Sequence, residues 1–272
     1  MSWAYSCLRL RACYDQVELI TDLAGKTLLV DDLQLPYTQT RVVLDSLDLY
    51  NPDWWALGKI YAFHIQETPF IHVDGDVFIW EKFPERLEKS GLIAQNLEFG
   101  FPIYQEVFTA LTQSGSYMPP VILDNYAHNQ GFHAYNAGII GGNDMVFFKE
   151  FSTEALLFIE RNSGTSELGS GMINAFYEQH LYYCMAKKKG IKVECYTDYT
   201  DQDVLNESLK SLRQFSAAPV TTSYIHLFGE DVKKDAGICR ELARRLRDEY
   251  PEHFHLVMET IRKKQDKIGL DV

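Results

Sequence analysis

Between Val17 and Phe228, short apolar runs of strand character alternate with stretches of helical periodicity, and no Gly/Ser/Pro linker, repeat or low-complexity segment interrupts them. Such alternation confines a chain to a mixed α/β architecture, in which strands share a sheet and helices cover it. The pattern predicts an opening helix over Trp3–Leu10, a strand at Val17–Thr21, a turn at Ala24–Lys26 and a second strand at Arg41–Leu44. A helix over Trp54–Ile65 leads through Pro69 into the strand Phe70–Val73, and Ile103, Val107, Phe108 and Leu111 mark a further amphipathic helix. Pro120–Leu123 and Ala137–Ile140 read as buried strands. Met172–Lys189 reads as the best-defined helix, stopped by Gly190. A strand at Ile191–Tyr196, a helix at Val204–Leu212, a strand at Tyr224–Phe228 and two charged helices separated by Pro251 complete the series. All strands from Val17 to Phe228 are expected in one sheet of a single domain over 1–272, with 234–272 a helical C-terminal extension.

Within that frame Asp74-Gly75-Asp76 stands at the carboxyl end of an apolar strand. Two carboxylates two residues apart can aim at one point beyond a sheet edge, where hard cations such as Mg²⁺ or Mn²⁺ take carboxylate oxygens and fill their shell with phosphates and water. Gly75 would let backbone and phosphate come close. The same residues, flanked by Phe70–Val73 and Val77–Trp80, also read as a β-hairpin turn, although a hairpin gives Asp76 no task.

A second segment, Tyr224-Ile225-His226-Leu227-Phe228-Gly229, is followed by Lys233 and Lys234. Imidazole ligates Mn²⁺ well and Mg²⁺ poorly, and a nearby lysine could neutralise a leaving phosphate. A third, Tyr135 to Asp144, combines small residues that admit a ligand or a neighbouring backbone with Asn136 and Asn143, whose amides suit sugar hydroxyls.

Composition removes several alternatives. The net charge of −12 opposes binding to a phosphate polymer, so nucleic acid is not an expected partner. The five cysteines are scattered, without a C-x-x-C pair, which fits a reducing compartment and no zinc knuckle. No apolar run reaches the roughly 18 residues of a membrane span, and residues 1–10 lack a signal-peptide core, so a cytoplasmic protein without stable membrane insertion is expected.

Pro69 to Phe78, with the strand running into Asp74-Gly75-Asp76, resembles the DxD segment of GT-A-type glycosyltransferases, and the later segments follow in the order those enzymes use. Asn136 to Gly142 is similar to their acceptor-side N-x-G strand, Glu178-Gln179 stands where glycosyltransferase family 8 carries an Asp-Gln pair, and His226-Leu227-Phe228-Gly229 with Lys233 is similar to that family's His-x-x-Gly-x-x-Lys signature. Three departures stand beside these: the lysine follows the glycine by four residues instead of three, no Pro-Trp follows it, and no strand is read before Trp3 to form the usual start of the nucleotide pocket.

The resemblance implies a GT-A-like, mostly parallel sheet flanked by helices, and transfer of a sugar from a nucleoside diphosphate donor, a UDP-sugar favoured, to a glycan, lipid-linked sugar or protein acceptor. It implies Asp74, Asp76 and His226 as ligands of Mn²⁺, favoured over Mg²⁺, and Asp22, Lys59, Asp74 and Lys233 as donor contacts. Asn136, Gly138 and Asn143 would line the substrate side, and Glu178 and Gln179 would lie near the reacting carbon. Two rivals remain: a catalytically inactive glycosyltransferase-like binding or assembly subunit, and a zinc hydrolase built on Asp124, His128 and His133.

Overall fold

The computed structural model describes residues 1–128, 131–163, 170–197 and 214–268. The helix expected at Val204–Leu212 lies outside the described residues. The strands are β1 (Glu18–Thr21), β2 (Gln39–Val42), β3 (Phe70–Val73), β4 (Val77–Ile79), β5 (Leu92–Ala94), β6 (Leu97–Phe99), β7 (His133–Tyr135), β8 (Ile139–Gly142), β9 (Val193–Cys195) and β10 (Tyr224–His226). The longer helices are α1 (Ser2–Cys13), α2 (Leu57–His64), α3 (Pro102–Gln113), α4 (Pro120–Ala127), α5 (Met145–Asn162), α6 (Leu181–Lys188), α7 (Ala236–Glu249) and α8 (Pro251–Ile268).

The chain is mixed α/β, but its strands do not join the single, mostly parallel sheet expected. They form separate small sheets: β1 with β2, β10 with β4, β6 with β7, and a four-stranded sheet in the order β3-β8-β5-β9. Among the described residues only β1–β2 and β5–β9 pair in parallel; the other ladders are antiparallel. The chain folds as two compact units, the first made of Met1–Asp45, Asp74–Lys82 and Asp203–Val272, the second of Ser46–Val73 and Phe83–Gln202.

In the first unit α1 buries Ala4, Tyr5, Cys7 and Leu8 against a core that includes Phe78, Phe215 and Ile225. The expected C-terminal extension is part of that core, because Ile238, Leu242 and Leu246 of α7 and Val257 of α8 lie within it. Asp235 starts α7 by accepting from the backbone N–H groups of Gly237 and Ile238. Asp22 does the same for a short helix over Leu23–Lys26, where the sequence suggests a turn: its carboxylate takes the Gly25 N–H at 2.6 Å, and the coil continues as a π-helical stretch over Thr27–Asp32.

In the second unit β8 is the inner strand between β3 and β5. A Cβ on Gly141 would stand 2.2 Å from the Phe70 carbonyl oxygen, and one on Gly142 would stand 2.1 Å from that of Gly91. These glycines therefore admit neighbouring backbone and not a ligand.

Pro120–Leu123, expected as a strand, opens α4. Proline at the first helical turn lacks only an N–H that would have no partner there, and the buried residues Ile122 and Asn125 stand three apart, as on one helix face. Four apolar residues in a row fit either structure, and the proline decides.

The expected helix over Met172–Lys189 contains a π-helical segment, Phe176–His180, with all five residues buried. Five successive residues point around nearly the whole circumference of the helix, so burial of all five means that the helix is enclosed on every side there. No helix among the described residues is long and apolar enough to cross a membrane.

Candidate metal centre

Antiparallel pairing of β4 with β10 builds the site, because it sets His226 opposite Val77 and lets the Leu227 N–H donate to the Asp76 carbonyl at 3.0 Å. The chain enters β4 through a tight turn in which the Val77 N–H donates to the Asp74 carbonyl. This turn is not the tip of a β-hairpin: β3 pairs with β8, whereas β4 pairs with β10. The result is a cluster in which one carboxylate oxygen from each of Asp74 and Asp76 and a ring nitrogen of His226 lie within 4.8 Å of one another. Among the described residues no other group of His, Cys, Asp and Glu side chains could hold a metal ion in this way.

The cluster is half-buried, and its side chains are already in contact. His226 Nε2 stands 3.5 Å from Asp76 Oδ1, while the Lys233 ammonium is 2.6 Å from Asp76 Oδ2. Burial pushes the Asp76 carboxyl up, but His226 and Lys233 outweigh it and hold the group below the usual carboxylate value. Asp76 is therefore ionised at neutral pH, as a cation ligand must be. Lys233 comes from a short helix over Glu230–Lys234, and Gly229 at its start has φ +86°, a left-handed geometry that favours glycine and turns the chain from β10 into that helix.

Two carboxylates and one imidazole are a donor set suited to Mn²⁺, which accepts both oxygen and nitrogen, and less to Mg²⁺. The residues present fit such an ion, with Lys233 as the cation that balances Asp76 without it.

Sequence reasoning missed the contribution of α1. Ser2 Oγ donates to the Gly75 carbonyl at 2.9 Å, Ser6 Oγ to the Asp74 carbonyl at 3.4 Å, and the Trp3 indole fills the space a Gly75 side chain would occupy. Gly75 thus admits an indole on that side and not a phosphate.

The remaining predicted residues fall elsewhere. Asp22 belongs to the first unit but spends its carboxylate on the helix cap, outside the cluster. Lys59, Asn136, Gly138, Asn143, Glu178 and Gln179 all belong to the second unit. There Lys59 Nζ lies 2.7 Å from Glu178 Oε1 and donates to the Ala137 carbonyl, with Glu178 only 1% exposed. The Tyr104 hydroxyl is 2.8 Å from Glu98 Oε2 and 3.3 Å from Gln179 Oε1. Asn136 donates to Glu98 Oε1 at 2.7 Å and accepts the Gly138 N–H. Asn143 donates to the Glu88 carbonyl.

The zinc alternative does not assemble. The Asp124 carboxylate is paired with Lys188, His128 Nδ1 bonds the Asp124 backbone oxygen, and the His133 ring stacks on Tyr183.

A mixed α/β chain whose described residues bring together one carboxylate–imidazole cluster is the class that fold and site define. The chain belongs to the family described as "Family of unknown function (DUF6734)", which matches residues 1–260. No curated protein and no solved structure matches it.

Proposed function

We propose that Asp74, Asp76 and His226 bind a divalent cation, Mn²⁺ in preference to Mg²⁺, and that the loaded site holds the diphosphate of a nucleotide sugar, a UDP-sugar favoured, for transfer of its sugar to an acceptor. The observation that carries this reading is convergence: a histidine about 150 residues downstream of the acidic pair lands on it through a strand pairing that needs neither charge nor imidazole. When bound, the ion supplies countercharge to the departing diphosphate. The chain's own part is to hold the aspartates and the imidazole at one end of the β4–β10 ladder, with Asp76 ionised. Lys233, whose side chain is 52% exposed, can exchange its contact with Asp76 for a phosphate oxygen.

A second reading, a subunit that binds the nucleotide sugar without transferring it, is favoured by one observation. Glu178 and Gln179, the residues that resemblance places near the reacting carbon, are interior groups at 1% and 9% exposure, occupied with Lys59 and Tyr104.

Thermal melting with UDP, GDP and CDP, each with and without Mn²⁺, tests the shared premise. A ligand at a hundred times its dissociation constant adds about 2.7 kcal/mol, a rise of several degrees in melting temperature. A rise that needs both Mn²⁺ and one nucleotide is expected; no rise with any pair overturns the proposal. Release or transfer of sugar from the matching donor then separates enzyme from binding subunit.

A further inference from the structure

Helix α1 is fixed along β4 by groups that have no part in the cation cluster. Arg9 Nε donates to the Ile79 carbonyl at 3.0 Å, and the Tyr5 ring packs edge-on against Phe78 at 5.1 Å. Ala4, Tyr5, Ser6, Cys7 and Leu8 are all buried. A helix anchored this firmly is a rigid support, and the residues it extends toward the Asp74–Asp76 turn form a set. Ser2 and Ser6, one helical turn apart, give their hydroxyls to the consecutive carbonyls of Gly75 and Asp74. Between them Trp3 lays its indole on Gly75, where an added Cβ would come within 2.6 Å of the ring. Gly75 is not among the residues with positive φ, so its backbone does not call for glycine; the indole does.

We infer that α1 is a working part of the cation site, with Ser2, Trp3 and Ser6 as positioning residues that set how far apart the Asp74 and Asp76 carboxylates are held. None of the three touches the cation. They act on the peptide units that carry two of its ligands, and a cation site is sensitive to such support because ligands left free to spread lose affinity. The inference rests on the cation reading proposed above.

The test is Mn²⁺ binding by the full chain, followed through the electron paramagnetic resonance signal of the free ion, together with the melting temperature of each variant without metal. Trp3→Ala should weaken Mn²⁺ binding about tenfold. Trp3 is 54% exposed, so the metal-free melting temperature should move by no more than about 2 °C. The Ser2→Ala/Ser6→Ala double variant, which leaves the indole in place, should weaken binding in the same direction and provides the test if Trp3→Ala fails to fold. Gly75→Ala displaces the indole, so its loss of affinity should not add to that of Trp3→Ala. Wild-type Mn²⁺ affinity in folded Trp3→Ala and in the serine double variant, or additive losses in the Gly75→Ala/Trp3→Ala pair, overturns the positioning role and leaves the cation reading standing. A wild-type chain that takes up no Mn²⁺ overturns the cation reading itself, and this inference with it.

Discussion

Each of the two units holds a lysine against a carboxylate, and the two pairs differ in what they leave available. In the second unit Lys59 and Glu178 meet at 2.7 Å with side-chain exposures of 11% and 1%, and Lys59 spends a further proton on the Ala137 carbonyl. In the first, Lys233 meets Asp76 at 2.6 Å, but the lysine is 52% exposed and the acid has Asp74 and His226 beside it. The buried pair is a closed arrangement, since separating it strands a charge in a medium of low dielectric. In the first unit the lysine can leave at little cost, because water receives its ammonium, while Asp76, at 13% side-chain exposure, keeps His226 beside it. Charge proximity alone does not mark a ligand site; the distinction is whether one member can leave.

The largest effect should come from breaking the closed pair. Lys59→Met removes the cation from Glu178 and should cost roughly 3–5 kcal/mol in urea unfolding, and adding Glu178→Gln should restore much of it. A loss no larger than that of a surface substitution would erase the contrast between the units.

Next comes pH. His180 Nδ1 lies 2.6 Å from the His133 carbonyl, which can only accept, so that nitrogen carries the ring's proton while Nε2 faces Cys184 Sγ at 3.5 Å. Burial outweighs this hydrogen bond and drives the pKa down to about 4. The unfolded ring, with its usual pKa of about 6.5, binds the proton that the folded one refuses. The His180 contribution is therefore complete above about pH 6.5 and drains away as pH falls toward 4, by something on the order of 3 kcal/mol. Stability measured across that window should fall with acid in the wild type and fall less in His180→Gln; parallel profiles would show that the ring is not held neutral.

Third, Asp76→Asn should abolish the Mn²⁺-dependent rise in melting temperature, worth about 2.7 kcal/mol in the wild type at a hundred times its dissociation constant. A variant that keeps the rise would remove the open pair from ligand binding. The smallest effect belongs to Asp124→Ala: its partner Lys188 is exposed, and the melting temperature should stay where it was, with no change in metal content.

The parts of the site read from sequence are those whose chemistry is local. Asp74-Gly75-Asp76 and His226-Leu227-Phe228-Gly229 each occupy one strand end, and the structure brings them together through β4 and β10. Strand and helix positions were legible wherever one periodicity fitted, as at β3, β5's neighbour β9, α2 and α3. Three things were not. Strand pairing depends on partners remote in sequence, and nothing local to Phe70–Val73 or Val77–Ile79 announces that they enter different sheets. The π-helical segment is buried on every side, polar residues with apolar ones, so it has no exposed face for a periodicity to mark. Nothing in the sequence sets Ser2, Trp3 and Ser6 apart from other residues at the start of a helix, and only the packing of α1 on the turn gives them a role.

The interleaving of the two units along the chain imposes an order on synthesis. The second unit's sequence is complete once Gln202 has been made, whereas the first unit still awaits Asp203–Val272, and with it β10. Asp76 and His226 leave the ribosome about 150 residues apart, an interval of roughly 10–30 s at ordinary elongation rates. Through that interval the two aspartates exist without their histidine and without Lys233. The three-residue donor set on which the proposed cation binding rests is thus assembled only after the whole of the second unit has been made.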